Sequence, residues 1–459
     1  MFKENNYLIV QSMEQFTPAT ILKVIRAHKA NQVVRLKKLY NYYRGKNQAI
    51  LNRTFNDKNK PNVKISNNFC RLISDQISSM FIGKPVKYSS EDSQALLELQ
   101  IVNEMNKEEH HNAILAKNAS IYGQAFEVMY MDANSEIRFS VLPTEEVIPI
   151  YSAGLEYDEI IGAIRYYTIE SLDDATDDLD IIEVYDHEKV TTYHNVGGAL
   201  KFVDLVPHYF GACPINVYQS NDECIGDFET VISLIDAFDA GLSDTANLFQ
   251  YFSDAYLVLS NAMDSSPEEF SQMAHDRVLL LPEGGTAEFL TKQIDSTSLD
   301  SYMNRLKDSI FAFSYAIDLS SDNAFGNDTS GTALRYRMMM LENICANRQA
   351  LFSQAIECRN EKIFRILGIK GKHLNASDIK QIYTINIPSN LAEQATMAQQ
   401  LTGIVSKETI LEMLSVVEDV QGELERINGE QMGMEALVNP YPEPEVEDDD
   451  DLDEVPPME

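Results

Sequence analysis

The sequence predicts an α+β fold, and three features carry that prediction. Helical patterns near 19–43, 66–82 and 108–121 lead into β-rich segments at 125–131, 136–142, 159–169, 180–186 and 190–195. From Asp227 to Asp254 apolar residues recur every seven positions, the spacing of helices that pack side by side. The longest helical pattern, Thr332 to Leu367, follows a loop of thirteen residues rich in Ser, Asp, Asn and Gly.

The amino-terminal part is basic: between Lys23 and Lys64 stand twelve Lys or Arg and one acid, Asp57. Such a segment suits a nucleic acid or an acidic partner; the favoured reading is an arm that neutralises acidic surface on a neighbouring subunit. The β-rich segments alternate apolar and polar residues. Asp132-Ala133-Asn134 and Asn195 to Gly198 supply turn residues between them, so an antiparallel sheet is expected.

In the heptad helix, Phe228, Ile235, Leu242 and Phe249 form one column and Val231, Phe238, Thr245 and Phe252 another, both expected to pack between subunits. Asp227, Glu229, Asp236, Asp239, Asp244 and Asp254 lie off these columns, with no Lys or Arg among them. A polar face of one sign is either the solvated edge of an acidic domain or a surface along which a polyanion slides without sticking. Apolar patches at Tyr256 to Leu259 and Val278 to Leu281 follow, and then a second amphipathic helix at 298–318. Its apolar face holds Leu299, Tyr302, Met303, Leu306, Ile310, Phe313 and Ile317, so two helices bracket a small insert of mixed structure.

In the long helix, Leu334, Met338, Leu341, Cys345, Phe352, Ile356 and Ile363 line one side; Ser330 or Thr329 can cap it and Gly368 can end it. A last helical block covers 389–430, with Ser406 placed to cap a helix through Leu414. Residues 442–459 hold ten acids, four prolines and no base, the composition of a disordered tail.

A formal net charge of -34 argues against simple adhesion to nucleic acid or to an anionic membrane, because such binding needs Lys and Arg to displace counterions. No run of about 18 apolar residues suggests a membrane span. The opening MFKENNYLIVQSMEQF lacks the apolar stretch of a signal peptide, so a soluble intracellular protein is expected. Five cysteines stand far apart and without a C-x-x-C pair, as expected of reduced, mostly buried thiols.

A search for catalytic chemistry yields little. The chain has no phosphate-binding loop, no H-E-x-x-H, no G-x-S-x-G and no dinucleotide fingerprint. His110 and His111 are adjacent and point apart on a helix, and His187, Glu188 and His194 are expected on neighbouring strands. Neither set makes a metal site, so no catalytic residue, cofactor or metal is expected.

Three stretches in order resemble the portal proteins of tailed bacteriophages, in particular those of long-tailed phages of Gram-positive bacteria. The first runs from Tyr42-Tyr43-Arg44-Gly45 through Asn62-Val63-Lys64-Ile65-Ser66-Asn67 to Phe81-Ile82-Gly83-Lys84-Pro85-Val86, similar to Y-Y-x-G, N-x-K-I-x-N and F-x-G-K-P-V. The second is Asp227 to Ile232 with Leu234 to Asp239 and Leu242-Ser243-Asp244, and the third is Phe325-Gly326-Asn327 with Ser330 to Tyr336.

The resemblance implies a phage portal fold: a helix-and-sheet wing, a two-helix stem, a small α/β clip, a long crossing helix and a helical crown. By position, 1–226 would be the first part of the wing, 227–254 and 298–318 the stem helices, and 255–297 the clip. Residues 319–331 would be the tunnel loop, 332–388 the long wing helix and its return, 389–430 the crown, and 431–459 the acidic tail. The resemblance also implies a homo-oligomeric ring, typically of twelve subunits, at one vertex of the virion head, assembled in the cytoplasm of the infected bacterium. Double-stranded DNA would pass through it, and terminase, major capsid and scaffolding proteins and a head-completion or adaptor protein would meet it. No membrane is involved.

Channel-lining acids are then expected at Asp236, Asp239, Asp244 and Asp254, and tunnel-loop residues near DNA at Asp322, Asn323, Phe325, Asn327 and Asp328. Another structural head or connector protein is the alternative reading, and a nucleic-acid enzyme a more distant one.

Overall fold

The computed structural model describes residues 6–430 apart from 57–60, 155–159, 172–177, 253–255, 261–265, 267–270, 272–274, 276–285, 291–295, 319–330, 385–390 and the single positions 373, 415, 418, 419, 421 and 425. It divides into one unit of Met1–Asn327 with Arg335–Asn386 and a second of Asp328–Leu334 with Ile387–Glu459.

The first unit opens with β1 (Leu8–Val10), α1 (Pro18–Tyr43), α2 (Gln48–Leu51), α3 (Phe69–Ile82), β2 (Lys87–Ser89), α4 (Ser93–Asn106) and α5 (Glu108–Tyr122). Thr17 caps α1 by accepting from the Thr20 amide, with Pro18 at the first helical position, where a missing N–H costs nothing. Lys107, held at φ 51°, breaks α4 from α5. The strands β3 (Gln124–Met131), β4 (Ile137–Leu142), β5 (Val147–Ser152), β6 (Ile160–Ile169), β7 (Leu179–Tyr185), β8 (Lys189–Val196), β9 (Ala199–Pro207) and β10 (Ile215–Gln219) follow.

These strands do not form the one antiparallel sheet expected. A 3-10 turn at Thr144–Glu146 ends the first hairpin and sends the chain into a second sheet. One sheet has the order β10-β3-β4; the other, β1-β5-β6-β7-β8-β9, is antiparallel except for the parallel pair β1 and β5. The two expected turns are present: Asp132 closes β3 to β4, and Gly197 and Gly198, both at positive φ, close β8 to β9. His187 and Glu188 lie in the turn between β7 and β8 rather than on neighbouring strands, and no group of three metal-ligating residues occurs among the described residues.

α1 lays Ile21, Val24 and Ile25 on Ile148, Ile150, Ile164 and Ile182 of the larger sheet. The smaller sheet joins the larger through Phe126, Val128, Leu142, Ala163, Tyr185 and Ile215, and its other apolar residues meet α4 and the end of a long helix.

After β10 come α6 (Ile232–Phe252), a two-stranded ladder of β11 (Tyr256–Ser260) with β12 (Thr286–Leu290), α7 (Ser296–Ser314), α8 (Gly331–Ile369) and β13 (Lys380–Ile382), which pairs with β2. α8 buries Met338, Leu341, Cys345, Phe352, Ile356 and Ile363, the stripe expected of it; Leu334 lies outside the described side chains. The helix ends at Ile369 and is closed by Gly371, not Gly368: Gly371 takes φ +87° while its amide and that of Lys372 return to the carbonyls of Gly368 and Leu367. That paired return needs a left-handed residue, which Gly supplies without a side-chain clash.

The second unit holds α9 (Leu391–Leu401) and α10 (Lys407–Met413), the latter capped by Ser406, which accepts from the Thr409 amide as expected. The tail from 431 lies outside the described residues. Of the five cysteines Cys70, Cys213, Cys224 and Cys345 are buried and Cys358 is exposed; all are free thiols.

Candidate functional site

The centre of interest is the pair α6 and α7, because they bracket the small ladder and carry the acids singled out in the sequence. They approach closely at Gly241, where a Cβ would stand 2.8 Å from the Met303 sulfur. Met303 can yield, so Gly241→Ala is expected to be close to neutral in urea unfolding, with gained helix propensity offsetting the contact. Gly241→Val is expected to cost about 1–3 kcal/mol, because a branched side chain pushes the helices apart. Phe69, at the start of α3, wedges the pair from the side, its ring edge-on to Phe238 at 5.1 Å and to Phe311 at 6.0 Å. Gln76 of α3 holds the chain just beyond α7 by bonding both the amide and the carbonyl of Ile317.

The amino-terminal segment runs along α6 as an extended strap. The amides of Val63, Ile65 and Asn67 donate to Asn247 Oδ1 at 2.6 Å, Ser243 Oγ at 2.9 Å and Asp239 Oδ1 at 3.0 Å. The match is geometric. Two residues of extended chain advance about 6.6 Å and four residues of helix about 6.0 Å, so alternate strap amides meet every fourth helix side chain. A lone extended segment thereby satisfies its backbone donors without a neighbouring strand.

The acids of α6 divide accordingly. Asp239 is buried; its Oδ1 also accepts from Asn67 Nδ2 and its Oδ2 from Asn47 Nδ2, each at 2.8 Å. Burial pushes its carboxyl above the ordinary aspartate value, opposed by the bonds from Asn67 and Asn47. Asp236 accepts from the Tyr42 hydroxyl at 2.8 Å, and burial followed by that bond pushes the phenol up. Asp244 meets Arg53 at 2.8 Å but stays 61% exposed, and Glu229 forms a two-pronged pair with Arg35.

The expectation for Asp239 is therefore corrected: a carboxylate enclosed by two asparagines of its own chain has no surface to give a channel. Asp236 faces Tyr42 of α1. Asp244 remains open and Asp254 lies outside the described residues, as do Asp322, Asn323, Phe325, Asn327 and Asp328. The basic segment neutralises acids of its own protomer through Arg35 and Arg53, where a neighbouring subunit was expected. The heptad column is divided: Phe228 and Ile235 are buried within the protomer, Leu242 is half-buried and Phe249 is exposed. Among the described side chains of the pair, the most exposed apolar residues are Phe249 at 65%, Phe313 at 64% and Tyr302 at 51%.

α8 is tied to the sheets and helices of the first unit by charges that the sequence did not single out. Arg359, fully buried, binds Glu127 of β3 through Nε at 3.1 Å and Nη2 at 2.7 Å, and reaches Glu108 at 3.3 Å and Asn112 at 2.8 Å. Glu127 also accepts from Asn216 at 2.7 Å and Tyr218 at 3.2 Å and pairs with His111 at 2.6 Å. Burial alone would raise Glu127, but the Arg359 charge and the His111 bond outweigh it and hold the carboxyl at about 2. Three helical turns earlier, buried Arg348 joins Ser220 and Asp227.

The model of the phage portal protein family described as SPP1 Gp6-like matches residues 22–433, nearly the whole of this architecture. The chain belongs to that family. It is similar to the portal protein of Bacillus phage SPP1, 26% identical over 471 residues, covering 97% of this chain and 90% of that one. It is also similar to the portal protein of Clostridium phage phiCD119, 24% identical over 428 residues, covering 86% and 92%. A subunit in the neck of an empty GTA particle shares the fold with a TM-score of 0.50 at 11% identity, over 83% of this chain and 93% of that one. Membership makes the chain a structural protein of the phage head with portal function, as the motifs at 42–45, 62–67, 81–86 and 227–244 implied. No helix among the described residues is long and apolar enough to cross a membrane.

Proposed function

We propose that the portal function is carried out by a closed head-to-tail ring whose axial channel passes double-stranded DNA during packaging and ejection. α6 and α7 form the stem, the β11–β12 ladder belongs to the clip, 319–331 is the tunnel loop, α8 crosses the wing and 389–430 builds the crown. Terminase, capsid and scaffolding proteins and a head-completion protein dock on this ring, probed one partner at a time.

One observation supports the ring above all: the stem pair has spent Phe228, Ile235 and Met303 on its own protomer, yet leaves Tyr302 and Phe313 more than half exposed on α7. These two are eleven residues apart, three helical turns, and so share one face. Large aromatics on one face of a helix are the anchors a neighbouring stem would bury. Double substitution Tyr302→Asp with Phe313→Asp is expected to leave the thermal melt of the protomer in place while abolishing rings in native mass spectrometry. Rings of unchanged size in that variant would remove the stem faces from the subunit contact.

Movement of DNA is then physical rather than catalytic. Of the four acids expected to line the channel, Asp244 and Asp254 are the two assigned to it, and the tunnel loop carries Asp322 and Asp328 without a base. Rings of carboxylates repel phosphates and deny the duplex a binding minimum, so a separate motor moves it with little friction. Asp322→Lys with Asp328→Lys is expected to slow packaging several-fold, most at low salt, with rings intact. A packaging rate equal to that of the unaltered chain would count against low-friction passage.

A further inference from the structure

Among the described strands, β9 forms one edge of the larger sheet, opposite β1, and β10 one edge of the smaller, opposite β4. β9 is apolar on both faces. Phe202 continues the cross-strand row Tyr166, Ile182, Tyr193, and Leu205 the row Ile164, Val184, Thr191, both facing the core beneath α1. Val206 continues the row Ala163, Tyr185, Val190 on the opposite face. Each core thus runs out under β9, where Phe202, Leu205 and Val206 are 62%, 44% and 52% exposed. A nine-residue edge strand in this state invites pairing unless a partner covers it.

The other edge offers a matching receptacle. A groove of about 550 Å³ opens between β10 and α8, floored by Ile215, Val217 and Ala355 and flanked by exposed Asp222 and Arg365, with the exposed thiol of Cys358 on its rim. β9 carries one exposed base and one exposed acid, Lys201 and Asp204, and the groove presents the exposed acids Asp222 and Glu361 and the exposed base Arg365 to answer them. The two surfaces differ, which is what a head-to-tail contact that closes into a ring requires.

We propose that β9 of one copy docks in the groove beside β10 of the next copy, its apolar side chains filling the groove and Lys201 and Asp204 meeting Asp222 and Arg365. This inference rests on the ring reading. Strand addition gives backbone hydrogen bonds, and the apolar side chains give the contact its register.

The test uses the full chain with Lys201→Cys, Val203→Cys or Leu205→Cys introduced singly, paired with the native Cys358 of the neighbouring copy. Diamide oxidises the two thiols to a disulfide, taking up their two electrons and two protons. At least one site is expected to give a ladder of covalent oligomers on a denaturing gel, and Cys358→Ser in the same background is expected to remove it. Native mass spectrometry of the same samples counts rings independently. Rings without a ladder, or a ladder that persists after Cys358→Ser, overturn the docking and leave the ring reading standing. Absence of both rings and ladder overturns both. Phe202→Asp with Leu205→Asp, at edge positions 62% and 44% exposed, is expected to raise the concentration needed for ring formation at least about tenfold while the thermal melt still shows a folded protomer; an unchanged concentration also overturns the docking.

Discussion

Arg359→Met is expected to lower the stability of the protomer by about 3–5 kcal/mol, because it leaves buried carboxylates without their counter-charge. Glu127 would lose both guanidinium bonds, and Glu108 and Asn112 one each. Methionine matches much of the volume that packs on Phe139 and Tyr218, so the loss reports charge rather than a cavity. The chain has 22 Tyr and no Trp, so tyrosine fluorescence in urea follows the transition. Glu127→Gln added to Arg359→Met is expected to recover part of the loss, the coupling shown by a double-mutant cycle.

The same pair sets a pH dependence. Glu127 is depressed from 4.5 to about 2 in the folded chain. Its contribution is present above the unfolded value and is lost as pH falls through the folded one, so acid weakens the fold between about pH 4.5 and 2. In Arg359→Met the largest influence opposing burial is gone and the His111 bond remains against it, so Glu127 rises and lowering the pH toward 5 is expected to stabilise that variant. A urea midpoint in Arg359→Met that falls with acid over that window would refute this account of the network.

Asp239→Ala carries the second large effect, about 3 kcal/mol, since three donors from Asn47 and Asn67 lose a charged acceptor in a buried place. The consequence is local first. The strap should loosen from α6, and hydrogen exchange at Val63, Ile65 and Asn67 should accelerate before that in the sheets. Asp239→Asn keeps an acceptor for Asn67 but sets its own amide against that of Asn47, so an intermediate loss is expected. The pH sign is opposite to that of Glu127: a raised folded value gives stability that is present below the ordinary aspartate range and lost as pH rises through the folded value. Unchanged exchange at the strap in Asp239→Ala would show that the acid does not hold it.

Much of the chain was legible where one physical signal dominated. The stripe of α8, the Ser406 cap and the glycine turn between β8 and β9 follow from spacing and backbone preference alone. Other parts were hidden because two signals disagreed. α4 carries Leu97, Ile101 and Met105 outward as well as Ala95, Leu99 and Val102 inward, which blurs its periodicity; its cap, Asp92, was the clearer sign. β5 contains Pro149, and β9 is apolar on both faces, so neither alternates as a half-buried strand should.

Arg348 and Arg359 look like surface residues, yet the series Leu341, Cys345, Arg348, Phe352, Ile356, Arg359, Ile363 keeps helical core spacing throughout. That regularity was the available signal for two buried arginines. The acids of α6 misled for the converse reason: the one-sign face was read on its own, whereas the bases and amides that answer it lie some 190 residues earlier at Tyr42, Asn47 and Arg53. The motif spanning 62–67, noticed only as a resemblance, is the strap itself.

Electron cryo-microscopy of the purified full chain, classified for rotational symmetry, tests the central claim most directly. The account predicts closed rings with an axial channel wide enough for a duplex, Tyr302 and Phe313 between neighbouring stems, and Asp239 enclosed beneath the strap of its own subunit. Rings whose channel is too narrow for DNA, or whose stems meet through Phe228 and Ile235 with Asp239 facing the axis, would contradict it.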